Sequence, residues 1–242
     1  MGNISTNLEI LPIEIIIHIL NMFLLSNLIK IELVNKWFQN LVRSNKWCHN
    51  ITIKTRNYEK IKFVVKNYNF TKFHFKTRIF DFGVDYKFIK LFKNKSITKI
   101  DLTNSLEIKD RHIKSLVNCR SLILAGCNWI TDKSVRLLGN CRKLDLSNCK
   151  LITDASVKLL GNCYILILDD CEITDESVKY LCGCKILSLR YCNKITDESI
   201  KYLGNCEILS LNGCKKITNE GVKFLKNCKT LSLSGCKIDC LL

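Results

Sequence analysis

Fifteen cysteines and four histidines are the side chains of this 242-residue sequence best suited to chemistry, as nucleophiles, redox pairs or zinc ligands. Their spacing argues against all three roles. His18, His49, His74 and His112 all precede Cys119, and no Cys-x-x-Cys pair occurs; only Cys182 and Cys184 lie close together. Twelve cysteines fall instead on two periodic tracks. Cys127, Cys149, Cys171, Cys192, Cys214 and Cys236 form one track; Cys119, Cys141, Cys163, Cys184, Cys206 and Cys228 form the other. A small, weakly polar thiol suits a crowded, buried turn, so the tracks are read as packing positions, with neither a metal nor another cofactor. Only Cys48, Cys182 and Cys240 are expected to react readily with thiol reagents. Nothing pairs a nucleophile with a base, sets two carboxylates together or builds a glycine loop for phosphate, so the chain reads as a non-enzyme.

The elements that position these cysteines repeat. From Cys119 the sequence stacks as five units of 22, 22, 21, 22 and 22 residues, followed by a partial sixth. Each unit carries a leucine pair two residues apart, from Leu122/Leu124 through Leu144/Leu146, Leu166/Leu168, Leu187/Leu189 and Leu209/Leu211 to Leu231/Leu233. That spacing puts both side chains on one face of a short strand. Ile-Thr-Asp or a close variant follows, then a run with Val or Ile three residues before Leu, which makes a two-turn helix with one buried edge. Thr131, Thr153, Thr174, Thr196 and Thr218, or the Asp/Asn after each, stand where an N-cap belongs and contribute about 1 kcal/mol each. Such a unit cannot bury its apolar face alone and must stack on its neighbours. The register extends back through Ile100/Leu102 and Phe73/Phe75 to Ile51/Ile53, which predicts nine strands, with residues 57–66 and 84–93 as helices of divergent early repeats.

Upstream, residues 8–48 are helical in pattern. Pro12 stands at a helix start, and Glu14, His18 and Asn21 form one narrow polar stripe on an otherwise apolar helix. Ser26 offers the next N-cap, and Leu33, Val34, Trp37, Phe38 and Leu41 continue at helical spacing towards Trp47. The residues alone leave two readings open. These helices either cap the open end of the solenoid or present surplus apolar surface to a partner.

The strand, Cys, Ile-Thr-Asp, helix, Cys unit resembles the cysteine-containing leucine-rich repeats found chiefly in F-box proteins. Leu-Pro-x-Glu-x-x-x-x-Ile-Leu, then Leu-x-x-Leu, then Leu-Val-Asn-Lys-x-Phe and a closing Trp resemble an F-box along its length. The resemblance favours the partner reading. It implies an α/β fold: a horseshoe of about nine short parallel strands preceded by a three-helix F-box. The division would be a tail at 1–7, the F-box at 8–48, divergent repeats at 49–95 and cysteine-containing repeats at 96–242. It further implies docking to a Skp-type adaptor, and through it a cullin, by Leu11, Pro12, Ile16, Ile19, Leu20, Leu28, Val34 and Trp37. The repeats would then hold an unknown target protein for ubiquitination. Side chains between and just beyond the strand leucines would face that target; Asp145, Asp169, Asp170, Arg190 and Tyr191, larger or charged, are the candidate contacts.

The net charge of +16 is concentrated: residues 49–99 carry thirteen basic and three acidic side chains, against twenty-one and sixteen in residues 100–242. With a row at Lys114, Arg136, Lys158, Lys179, Lys201 and Lys223, this raises a competing reading as a nucleic-acid scaffold, which no base-reading motif supports. A solenoid that sequesters a partner without ubiquitination is the other alternative. The start Met-Gly-Asn-Ile-Ser-Thr fits an N-myristoylation pattern at Gly2, and a membrane is a partner only if that lipid is attached. No secretory leader or membrane span is read, which points to the cytoplasm, a host's if the gene is viral, or to the nucleus. The Lys-, Asn- and Ile-rich composition fits an AT-rich genome such as that of a protist or large DNA virus.

Overall fold

The computed structural model describes residues 36–44, 47–53, 58–68, 70–75, 89, 91–92 and 96–238. Nine strands form one sheet in chain order: β1 (Trp47–Ile53), β2 (Phe70–Phe75), β3 (Ser96–Asp101), β4 (Ser121–Ile123), β5 (Lys143–Asp145), β6 (Ile165–Ile167), β7 (Ile186–Ser188), β8 (Ile208–Ser210) and β9 (Thr230–Ser232). Every neighbouring pair is parallel. Helix α1 (Lys36–Ser44) precedes β1, and α2 (Tyr58–Asn67) joins β1 to β2, as read from the apolar spacing at 57–66. Of the helix read at 84–93, Ile89, Leu91 and Phe92 are described, the first two helical; the rest lies outside the described residues. Six four-residue helices then connect successive strands: α3 (Asp110–Ile113), α4 (Asp132–Val135), α5 (Asp154–Val157), α6 (Asp175–Val178), α7 (Asp197–Ile200) and α8 (Asn219–Val222).

Parallel register places like residues side by side, so the core consists of columns. Leu122, Leu144, Leu166, Leu187 and Leu209 pair directly across β4–β8 and are buried, as is the next leucine of each repeat through Leu211. Ile130, Ile152, Ile173, Ile195 and Ile217 fill the turn after the strand. Both cysteine tracks are columns too. From Cys119 to Cys214 they are buried, while Cys228 and Cys236 near the last strand are half-buried. Burial alone does not explain why the residue is cysteine. Each post-strand thiol donates to a backbone carbonyl of the preceding repeat: Cys127 to Leu102, Cys149 to Leu124, Cys171 to Leu146, Cys192 to Leu168, Cys214 to Leu189 and Cys236 to Leu211, at 3.0–3.2 Å. On the second track, Cys119 donates to Ile97 at 2.8 Å, and Cys141 and Cys206 donate to Cys119 and Cys184 at 3.1 and 3.2 Å. Alanine would fill most of the space but leave a buried carbonyl without this donor.

The Thr-Asp-x-Ser run does more than cap helices. Thr131, Thr153, Thr174, Thr196 and Thr218 are the N-caps, each accepting at Oγ1 from the backbone N–H two residues on. The aspartate after each cap serves the next repeat. Asp110 accepts from Thr131 N–H, Thr131 Oγ1 and Ser134 Oγ at 2.9, 2.6 and 2.6 Å. Asp132 accepts likewise from Thr153 and Ser156, Asp154 from Thr174 and Ser177, and Asp175 from Thr196 and Ser199. The four serines are buried, and these bonds satisfy their hydroxyls. The series ends at α8: Asp197 still takes both bonds from Thr218, but Gly221 replaces the serine, and Asn219 Oδ1 is buried with no partner.

The early repeats pair in parallel with irregularities, between Trp47 and Asn50 on β1 and between Phe73 and His74 on β2, and without the Asp–Thr–Ser stitching among the described residues. Their core is aromatic, with Phe92 packed edge-on against Phe73 and Phe75 at 5.0 and 5.5 Å. Leu41 and Val42 of α1 are buried in the same continuous core, and two residues separate α1 from β1.

Candidate interaction surface

Because each strand alternates one buried leucine with two outward residues, the sheet presents two outer columns opposite the core. Across β3–β9 the first reads Lys99, Ser121, Lys143, Ile165, Ile186, Ile208, Thr230, and the second reads Asp101, Ile123, Asp145, Ile167, Ser188, Ser210, Ser232. Unlike the core columns, both change character along their length. The first starts cationic and turns apolar, with Ile165, Ile186 and Ile208 adjacent. The sequence reading counted only side chains between and beyond the leucines and so missed this column; the residue before each leucine was the available signal, by the same alternation.

At the end of each strand from β3 to β9 the chain turns through one residue at positive φ: Asn104, Gly126, Asn148, Asp170, Tyr191, Gly213 and Gly235. Gly, Asn and Asp tolerate this region, whereas a bulky residue there is strained by roughly 1–3 kcal/mol. Tyr191, at φ 60°, is the exception. Its ring lies over Gly213, where a Cβ would collide with Tyr191 Cδ1, so the glycine makes room for the ring.

The five candidate target residues lie on β5–β7 and the turns after them, but their side chains are not equally available. Asp145 Oδ1 accepts from the N–H and hydroxyl of Ser147 at 3.0 and 2.6 Å. Asp169 Oδ1 accepts from Ser188 Oγ and Arg190 N–H at 2.5 and 3.0 Å. Asp170 pairs with Lys150 at 2.7 Å. Arg190 stands 5.7 Å from the ring of the exposed Tyr191, and Arg142, just before β5, lies 5.0 Å from the ring of Tyr164.

The far side carries a different pattern. Lys114, Arg136, Lys158, Lys179, Lys201 and Lys223 are each the C-cap of a helix, a place where a cation meets the negative end of the helix dipole. Lys179, Lys201 and Lys223 also pair with Glu176, Glu198 and Glu220. Half of the row is thus paired with a neighbouring glutamate, which weakens its claim as a phosphate track. Beside it runs an exposed row that the sequence reading did not single out, Leu137, Leu159, Tyr180, Tyr202 and Phe224. At a third place, Leu106, Trp129 and Leu151 line an open depression with Asn128, Asn148 and Lys150.

The buried thiols are poorly suited to nucleophilic chemistry, because burial pushes Cys141 and Cys214 up to about 11 and Cys127, Cys149, Cys163, Cys171, Cys184 and Cys206 up to about 12. Cys182 is exposed. Among the described residues no group of three His, Cys, Asp or Glu side chains could hold a metal ion, and no helix is long and apolar enough to cross a membrane. Leu11, Pro12, Ile16, Ile19, Leu20, Leu28, Val34 and Gly2 lie outside the described residues, as does the side chain of Trp37 on α1.

A family model described as a leucine-rich repeat matches residues 142–161 and 207–226, two of the stitched units. An internalin from Listeria monocytogenes superposes with a TM-score of 0.52 at 21% identity, covering 79% of this chain and 54% of its own. A second internalin from that organism, internalin C2, gives 0.51 at 20% identity over 83% and 84% of the two chains. A leucine-rich-repeat protein of Leptospira interrogans gives 0.52 at 20%, over 79% and 50%. This chain thus spans about half the length of two of these proteins. Among curated proteins no sequence relative matches it. The nine-stranded parallel sheet, the columnar core and these likenesses define the fold as an α/β leucine-rich-repeat solenoid.

Proposed function

We propose that this protein is the substrate-recognition subunit of an SCF-type ubiquitin ligase: residues 8–48 dock a Skp-type adaptor, the outer face of the sheet holds a target protein, and the chain catalyses nothing itself. The observation that carries this reading is the F-box-like series from Leu11 to Trp47, set immediately before a repeat scaffold. The burial of Leu41 and Val42 in the scaffold core supports it, because a ligase needs target and adaptor held in fixed relation. Leu11, Pro12, Ile16, Ile19, Leu20, Leu28, Val34 and Trp37 are the proposed docking residues; Asp145, Asp169, Asp170, Arg190 and Tyr191 are proposed target contacts. The site of action is the cytoplasm or nucleus, at a membrane only if Gly2 is acylated, which intact mass reads directly.

The test is a pull-down of the full chain with a Skp-type adaptor and cullin, comparing wild type with a Pro12→Ala/Ile16→Asp double variant. Adaptor capture by wild type and its loss in the variant is the expected result. Failure of folded wild type to bind the adaptor would sink the ligase reading and leave a scaffold that sequesters its partner.

A further inference from the structure

On the helix side, packing leaves Leu137, Leu159, Tyr180, Tyr202 and Phe224 each about half exposed. The first four hold one structural position: their N–H groups donate to Ser134, Ser156, Ser177 and Ser199 at 3.0–3.1 Å. The row is close-set, because Gly139, Gly161 and Gly204 leave no room for a Cβ against the carbonyls of Leu159, Tyr180 and Phe224 in the next repeat. It also has a defined start, since the matching residue after α3 is the exposed Ser115. Lys179 and Lys201 stand 5.5 Å from the ring centroids of Tyr180 and Tyr202, which holds the rings in place. Half-exposed, the five side chains offer roughly 400–500 Å² of surface, a patch of the size that commonly serves binding.

Two properties reverse along this row. Side-chain size rises from leucine at one end to aromatic rings at the other. Charge changes sign in the row beside it, where Lys133, Ala155, Glu176, Glu198 and Glu220 share one position, each N–H donating to its cap threonine. The glutamates are well exposed, and their pairing with Lys179, Lys201 and Lys223 at the surface is weak enough to leave them available. A surface whose ends differ in this way complements itself when turned end for end. Across a two-fold axis through the Tyr180 repeat, each leucine meets a ring and Lys133 meets Glu220. Pairing in the same direction would set leucine on leucine and glutamate on glutamate. An anionic bilayer fits less well, because Glu176, Glu198 and Glu220 would face its headgroups.

We infer that the helix side is a self-association surface: two copies of this chain pack face to face and end for end, Tyr180 against Tyr180, Leu159 against Tyr202 and Leu137 against Phe224, with Lys133 and Glu220 closing each end. These side chains and their flanks reach the lower end of stable interfaces, about 1,200 Å² in total, so the dimer forms at micromolar concentration. The outer face of both sheets stays free for another partner. The inference concerns the solenoid alone and holds whether or not residues 8–48 bind an adaptor.

Sedimentation velocity on the full chain, from about 1 to 200 μM, should show the mass rising from the 28.0 kDa of one chain to that of two. Tyr180→Asp and Tyr202→Asp, both at exposed positions, should each weaken dimerisation about tenfold or more with an unchanged melting temperature. Lys133→Glu and Glu220→Lys should each weaken their own homodimers, whereas an equimolar mixture of the two variants should dimerise like wild type, because the mixed pair restores both Lys–Glu contacts. Cys182, exposed and two residues after Tyr180, is a probe of the axis: a short bismaleimide should link two copies, and Cys182→Ser should prevent the link. A chain that stays monomeric at the highest concentration, a dimer that survives both aspartate variants, or a mixture no stronger than its components would overturn the proposal. Capture of a monomeric chain by phosphatidylcholine/phosphatidylserine vesicles, lost in Tyr180→Asp, would make the occupant a bilayer. Adaptor pull-down on the same preparations separates failure here from failure of the ligase reading.

Discussion

The interior edge of the solenoid and the outer face of its sheet are built from the same repeat under opposite rules. On the interior edge, Asp, Thr, Ser and Cys recur at each position and make the same bond to the neighbouring repeat. On the outer face one column passes from Lys through Ser to Ile within six strands. Sameness serves stacking, since every junction must close in the same way. Variation is left where no junction constrains it, and a partner can be recognised only there.

The largest effect that could break this contrast is alkaline. The buried thiols have folded pKa values raised from the ordinary 9.0 to about 11–12, so their contribution to stability is complete below pH 9 and is lost as pH rises towards those values. Each contributes about 1.4 kcal/mol of loss per pH unit, and several together exceed the roughly 5–15 kcal/mol that holds a typical domain folded. Melting temperature should fall steeply above pH 9, with unfolding before pH 11; a flat curve to pH 10.5 would mean that the thiols are not buried as described.

Next in size is a comparison of aspartates. Asp154→Ala leaves the buried Ser177 hydroxyl and both Thr174 donors without their acceptor and should cost about 2–4 kcal/mol by denaturant unfolding, whereas Asp145→Ala on the outer face should cost less than about 1 kcal/mol. Similar costs would erase the distinction between the two faces. Tyr191→Asn relieves a positive-φ strain and should stabilise by about 1 kcal/mol; if Tyr191 is kept for binding, the same variant should weaken target capture. The smallest effect is on the acid side. Burial by itself would raise Asp110 and Asp132, but hydrogen bonds from Ser134, Thr131, Ser156 and Thr153 outweigh it and hold both carboxylates below their ordinary 3.8. A lowered folded pKa adds stability that is present above about pH 4 and lost as pH falls through the lowered value. Melting curves of wild type should therefore drop below pH 4 more steeply than those of Asp110→Asn/Asp132→Asn.

Much of this fold is legible because its period is written plainly. Leucine pairs, cysteine tracks and Thr caps gave nine strands and their order, and even Phe73/Phe75 and Ile51/Ile53 lie in strands of the sheet. The role of the aspartates was not legible. Asp110 meets Thr131 and Ser134 at sequence separations of 21 and 24, and capping rules look only a few residues along the chain. The isoleucine column was hidden for a related reason: its members are neighbours across strands, and in the sequence they resemble ordinary filler before a leucine.

The stitched junction has an evolutionary consequence. Each unit from α4 to α7 offers an aspartate forward and a threonine and serine backward, so a duplicated copy of one such unit arrives with both halves of its seam already matched. Unequal recombination between such units can lengthen or shorten the array in frame, with no new complementarity to be invented. Near-identity among the units is what ongoing exchange of that kind leaves behind, while the outer residues of each new copy are free to diverge.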